Sequence, residues 1–199
     1  MHIDVRIPWE PGRRLGFAIN RAMDTVRDWV LILDHDVFLS LNPNWYEICQ
    51  NAIEQVGHRA GWITCTTNDI GNLSQKAAFN IDQDDFPYQP DFKTTDMDMH
   101  FKLAQDIYRA NKGKVADITE LSKKRKLSGF FVLTHKTAYE KVKKEHGLPY
   151  DKFLGWDNYY ADRLMECGYK LYIMKDLYIY HGYKHLWRNP SWGKGIVGR

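Results

Sequence analysis

The apolar positions along this chain change their spacing several times, and each change marks an element. Ile3 to Ile7 alternate with polar residues and predict a short strand closed by Pro8. Glu10-Pro11-Gly12 reads as a turn. Apolar residues at Leu15, Ala18, Ile19, Ala22, Met23 and Val26 then keep a helical period. Trp29-Val30-Leu31-Ile32-Leu33 follows as an unbroken apolar run ending in Asp34-His35-Asp36-Val37. Such a run predicts a strand buried on both faces, central in a parallel or mixed sheet. Strand, helix, strand in that order predicts a βαβ unit.

Further along, Asn42-Pro43-Asn44 is placed to cap a helix running to about Val56, and Trp62 to Thr66 reads as a strand. Residues Asn68 to Asp98 are rich in Asn, Asp and Pro and read as a long loop region, a kind that is often functional in a compact domain. Met99 to Ala110 is helical. Asp96-Met97-Asp98 precedes it, and acids there complement the helix dipole, so this pair reads as a cap. Lys123 to Lys126 is a basic run that reads as a solvated turn. Leu127 to Thr134 is strand-like and Lys136 to Lys144 helical. Asn158 to Cys167 forms a helix stopped by Gly168. Tyr169 to Ile173 and Leu177 to Tyr180 are two more strands. The pattern predicts one α/β domain over residues 1–199 with no internal repeat or interdomain linker.

Asp34 and Asp36 matter because ligands in open α/β sheets bind just beyond the carboxyl ends of the strands. In extended backbone residues two apart share a face, so both carboxylates can approach one hard cation, Mn²⁺ or Mg²⁺. An Asp after a strand serves equally well as a turn former or helix N-cap. The two acids alone therefore leave the choice open.

Composition narrows the classes. With 199 residues the chain is long enough for one sizeable core, and 44% hydrophobic with 27% charged residues is ordinary for a soluble domain. Aromatic residues reach 14%, which favours a site that stacks flat rings such as nucleobases or sugars, although a rich core uses them too. A net charge of +3 is too small to argue for nucleic-acid binding. The three cysteines Cys49, Cys65 and Cys167 lack ligand-like spacing and read as buried, idle thiols of a reducing compartment. No apolar run reaches transmembrane length and no signal-peptide pattern opens the chain, so a cytoplasmic protein is expected.

Three clusters in the second half extend the picture. Ser128-Gly129-Phe130-Phe131-Val132 sets a glycine where a ligand can approach backbone. Gly155-Trp156-Asp157-Asn158 opens a helix, where Asp157 also suits a first-turn acid. Tyr178-Ile179-Tyr180-His181-Gly182 sets His181 at the end of an apolar strand, where a lone histidine is more often structural than a ligand.

Taken in order, these pieces resemble the GT-A glycosyltransferase superfamily, the nucleotide-sugar-dependent transferases with an Asp-x-Asp motif. RLGFAINRAMDTVRDWVLILDHDV is similar to the segment leading into that motif, and GWDNYYADRLMECGYKLYI to the family's acidic helix. YHGYK resembles the later metal-binding histidine segment, including that of polypeptide N-acetylgalactosaminyl transferases. The resemblance covers about residue 3 to 188. It implies a Rossmann-like central mixed β-sheet flanked by helices, shortened at the N-terminus.

The same resemblance implies site residues. Asp36 and His181 would be direct metal ligands, with Asp34 on the ribose, the sugar or a metal-bound water. Mn²⁺ suits a carboxylate–imidazole pair better than Mg²⁺ does. Asp157 would be the catalytic residue, a general base if the reaction inverts and a positioning or charge-stabilising group if it retains. Gly129, Trp156 and Asn158 would shape the sugar or acceptor pocket. Ile7, Pro8, Trp9, Arg14 and His35 would serve the nucleotide, with Lys184 and Arg188 set against its diphosphate. Residues 182–199 read as a lid over the nucleotide, and a frayed terminus explains the same composition. The implied partners are a UDP-sugar donor and an unidentified acceptor. A metal-dependent phosphoesterase and a non-catalytic nucleotide-sugar-binding module are the rival readings. A phosphoesterase would need further ligands that the sequence does not offer.

Overall fold

The computed structural model describes residues 2–12, 14–82, 86–147 and 155–182. The chain folds as an α/β protein around a seven-stranded mixed sheet flanked by helices. In chain order the main elements are β1 (Ile3–Arg6), α1 (Leu15–Met23), β2 (Trp29–Leu33), β3 (Val37–Phe38), α2 (Trp45–Val56), β4 (Ala60–Thr67) and α3 (Ala77–Asn80). There follow α4 (Met97–Asn111), β5 (Val115–Asp117), α5 (Thr119–Lys124), β6 (Phe131–His135), α6 (Lys136–His146), α7 (Trp156–Glu166) and β7 (Lys170–His181). The strands lie in the order β1-β2-β6-β4-β7-β3, with β5 also on β7.

The predicted βαβ unit is present, since β1 pairs β2 in parallel with Arg6 opposite Ile32. Strand β6 runs antiparallel between β2 and β4, and β4 is parallel to β7. The alternation of the central strands builds two cores at once. Trp29, Leu31 and Leu33 face one side, against Ile48, Cys49, Ala52, Ile53 and Val56 of α2. Val30 and Ile32 face the other, against Ile19 and Met23 of α1, Tyr139 and Val142 of α6, and Tyr160 and Leu164 of α7. A strand with helices on both faces has no solvent side, which is why this run is uninterrupted. Leu133 on β6 is fully buried, opposite Leu31 and Ile63. We expect Leu133→Ala to cost about 2–5 kcal/mol in chemical denaturation, the usual range for a buried leucine truncated to alanine.

Several expectations are revised. The region 68–98 is more ordered than a loop. It contains α3, and Ala77, Ile81, Phe86 and Phe92 pack with Leu103, Ala104 and Ile107 of α4 in a third core cluster. Asp96 does cap α4, its side chain accepting from the Asp98 N–H at 2.9 Å. Asn44 stands at the start of α2 but makes no side-chain cap. Lys123 and Lys124 belong to the last turn of α5, a helix whose six residues are too few to show a period. The predicted strand from Leu127 begins only at Phe131, after a turn at Gly129–Phe130. Gly168 adopts φ +84° just past α7, as its stop-signal reading requires. Among the described residues no helix is long and apolar enough to cross a membrane.

The two strands predicted after Tyr169 are one, interrupted by an irregularity. Cys65 lies opposite Met174 but Thr66 lies opposite Tyr178, so Lys175, Asp176 and Leu177 are extra residues on β7. The bulge is held in place by Lys175 N–H to Lys114 O at 2.9 Å and Gly113 N–H to the Asp176 carboxylate at 2.7 Å. Its effect is to change which residues face which core. Before it Tyr172 and Met174 face the α2 side; after it Leu177 and Ile179 do. His181 inherits the face of Leu177 and Ile179.

Candidate functional site

The carboxyl ends of β2, β4 and β7, the start of β6 and the start of α7 meet at one end of the sheet. Asp34-His35-Asp36 leaves β2 there. The backbone is not extended as expected: Asp34 leaves the strand and His35 and Asp36 form a turn. The carboxylates nevertheless converge, because β3 returns from that turn and pairs with the end of β7, Val37 opposite His181. His181 Nε2 lies 3.3 Å from Asp36 Oδ1 and 3.7 Å from Asp34 Oδ2. One ligand atom from each of the three residues falls within 4.8 Å of the others.

Each member is held from behind. The His181 ring stacks on Phe130, with centroids 5.4 Å apart and planes 22° from parallel. Its backbone is gripped by the Asn68 side chain. The His181 N–H donates to Asn68 Oδ1 at 2.8 Å, and Asn68 Nδ2 donates to the His181 carbonyl at 3.3 Å. Asn68 directly follows β4, so its amide continues the β4–β7 ladder one step beyond the strand. Gly182 N–H donates to the Asp36 carbonyl at 2.9 Å, and Asp34 N–H to the Phe130 carbonyl at 3.2 Å. Below this, buried Gln75 accepts from Ser128 N–H at 2.8 Å and donates to Ser128 O at 3.0 Å and Thr64 Oγ1 at 2.9 Å.

The two acids differ electrostatically. Burial raises the Asp34 carboxyl above its ordinary range; His181 pulls it down, and the charges of Asp36 and Asp157 push it up again. Burial pushes Asp36 upward too, but the hydrogen bond and charge of His181, with His35, outweigh it and hold its carboxyl low. A buried, ionised Asp36 next to an imidazole and a second carboxylate offers oxygen and nitrogen donors with excess negative charge. That donor set fits a divalent cation such as Mn²⁺.

Asp157 sits in the first turn of α7, after Gly155 in the left-handed region at φ +86°. Its carboxylate accepts from Asn158 N–H at 2.8 Å and from Gly129 N–H at 3.1 Å. Burial raises the Asp157 carboxyl, and those backbone bonds pull it partly back. Gly129 approaches so closely that a Cβ there would lie 3.0 Å from the Asp157 Cβ. The glycine is thus needed for backbone contact with Asp157.

The other sequence-derived residues fall as follows. The β1–β2 register places Ile7 and Pro8 level with Leu33 and Asp34, and Ile7 and Trp9 are 56% and 78% exposed. Arg14 is paired with Glu10 through a 2.6 Å ion pair and lies over the Phe17 ring. His35 is exposed. Trp156 is 2% exposed and stacks on Tyr160 in the core, so its ring packs the α7 side of the sheet instead of opening onto a sugar pocket. Asn158 is half-buried. Lys184, Arg188 and the lid assigned to the tail from 183 onward lie outside the described residues. Asn68, Phe130 and Gln75 were not singled out by the sequence. Only Asn68 had a signal, as a polar residue closing a buried strand.

Compared with protein-family models, curated proteins and solved structures, the chain gives no match in any of the three. The functional reading therefore rests on the residues themselves.

Proposed function

We propose that this protein is a metal-dependent glycosyltransferase of the GT-A kind that moves a sugar from a nucleoside diphosphate sugar, a UDP-sugar first, to an acceptor hydroxyl. The observation that carries the proposal is the meeting of Asp34, Asp36 and His181 at one strand end with Asp157 held on the neighbouring helix start. Asp36 and His181 would hold Mn²⁺, or Mg²⁺ less readily, with Asp34 beside them. When bound, the cation supplies charge against a diphosphate leaving group.

The chain's own residues supply the remaining chemistry. Asp34 has one carboxylate oxygen 3.7 Å from His181 Nε2 and is half-exposed, so a ribose or sugar hydroxyl can reach it from solvent. Asp157 carries a carboxylate fixed by two backbone N–H groups. It is the group placed to accept a proton from an acceptor hydroxyl, or to steady positive charge on the sugar ring. Exposed Ile7 and Trp9 at the end of β1 offer apolar and aromatic surface to a base.

The test is calorimetry with UDP and then GDP, each with Mn²⁺ and with EDTA. Binding of one nucleotide only in the presence of metal is the expected result. Binding of neither, or binding indifferent to metal, would overturn the proposal. A sharper check uses Gly129→Ala. The added methyl displaces Asp157, so nucleotide binding should stay near wild type while Mn²⁺-dependent release of UDP from a UDP-sugar falls about tenfold or more, as displaced catalytic groups do. Unchanged release would show that the Gly129–Asp157 contact has no catalytic consequence.

A further inference from the structure

A second group of ligand-type side chains lies at the opposite end of α7. Glu145 and His146 close α6, and Cys167 follows the last residue of α7. One ligand atom from each falls within 4.8 Å of the others. Ten residue steps along α7 separate Cys167 from Asp157, about 15 Å of helix, so the two do not share a site.

Three observations favour a cation here. The first is distance. The Cys167 thiol donates to Glu145 Oε2 at 3.4 Å, close to the ~3.5 Å edge that zinc–sulfur and zinc–oxygen bonds subtend at a tetrahedral centre, so a cation can take the place of the shared proton. The second is an orphaned atom. His146 Nε2 is buried with no hydrogen-bond partner among the described residues, while Nδ1 lies 3.7 Å from Glu166 Oε2. The ring nitrogen left without a partner among the described residues is available as a metal ligand, and Glu166, though beyond hydrogen-bond length, lies on the side of the other nitrogen. The third is the backbone. Helices α6 and α7 both end here, and helix C-termini carry partial negative charge. Two neighbouring cations are engaged elsewhere, Lys141 with the Cys167 carbonyl at 2.8 Å and Arg163 with Glu166.

We propose that Glu145, His146 and Cys167 form a second metal site, selective for Zn²⁺, that ties the end of α6 to the end of α7. A thiolate, an imidazole and a carboxylate are a zinc donor set, softer than the oxygen-rich group around Asp36. Three protein ligands leave one tetrahedral position for water. The bound ion would fasten the far end of the helix whose first turn carries Asp157. The proposal stands independently of the transferase reading.

Cobalt is the probe, because Co²⁺ bound by a thiolate gains a sulfur-to-metal charge-transfer band. The metal-free full chain titrated with Co²⁺ should develop that band, its final intensity corresponding to about one thiolate-bound cobalt per chain. Zn²⁺ should bleach it. The band should vanish in Cys167→Ser and persist in Asp36→Ala. A wild-type titration without the band, or a band that survives Cys167→Ser, would overturn the proposal. If Cys167→Ser does not fold, His146→Gln replaces it. There the affinity read from the band should fall by more than about 100-fold, beyond the range for losing a mere orienting partner, and unchanged affinity would overturn the site equally.

Discussion

Replacing Asp36 by alanine is expected to abolish Mn²⁺-dependent nucleotide binding while leaving the chain folded. Asp36 is 8% exposed, 3.3 Å from His181 Nε2, and the one carboxyl of the group that its surroundings hold below the ordinary range. Residues that merely orient a ligand cost about 10–100-fold when removed, so loss of a ligand should exceed about 100-fold. Calorimetry with UDP and Mn²⁺ reads this directly. Metal-dependent binding at wild-type strength would remove Asp36 from the site. The same carboxyl gives a stability signature without metal. Its folded pKa is depressed, so its contribution is present above the unfolded value near 3.8 and fades as pH falls through the folded one. Asp34, raised by burial and by neighbouring acids, acts in the opposite sense and is relieved on protonation. Asp36→Ala should therefore flatten the acid limb of denaturation below about pH 4.

The second large effect is expected at Asp157. Gly129 N–H and Asn158 N–H donate to different oxygens of Asp157, so Asp157→Asn keeps an acceptor for one of them while holding the size and helix-start position of the side chain. It removes the negative charge. Sugar transfer, read as Mn²⁺-dependent UDP release in the presence of an acceptor, should fall about 10²–10⁴-fold, the range for losing a general acid or base. UDP binding should be nearly unchanged, since the proposed metal ligands are on other elements. Wild-type turnover would exclude Asp157 from the chemistry. In the wild type, a base must be deprotonated to act. Because burial raises the Asp157 carboxyl, the acid limb of the rate should lie above that of an ordinary aspartate.

Much of this architecture was legible because burial on both faces leaves a signature in one strand. The run Trp29–Leu33 predicted its own place with strands on both sides, and its trailing acids do come together with His181 at the strand end. Gly168 and Asp96 announced a helix stop and start through chemistry that is local. Short elements were not legible. Strand β3 has two residues and β5 three, and each exists only because β7 offers an edge. Asn68 grips His181 across a separation of 113 residues, a pairing that no spacing in the chain reports. Trp156 was legible and read the other way. Trp156, Tyr160 and Leu164 recur at every fourth position, a stripe that marks a core face, and the structure buries all three.

The bulge in β7 has a consequence for how this protein tolerates changes in length. Strand residues alternate sides, so the direction of His181 depends on whether an odd or even number of positions separates it from the anchored part of β7. Losing one residue between Met174 and Leu177 would leave an even count from Met174 to His181, so an uninterrupted strand would still aim the imidazole at the face of Asp36 and Phe130. Losing two would leave an odd count and, with no bulge to absorb it, send the imidazole to the opposite face. The imidazole proposed as a metal ligand is therefore aimed by a count kept about 16 Å away, five residues upstream at Asp176. Length variation at that point is filtered by parity before it is filtered by chemistry.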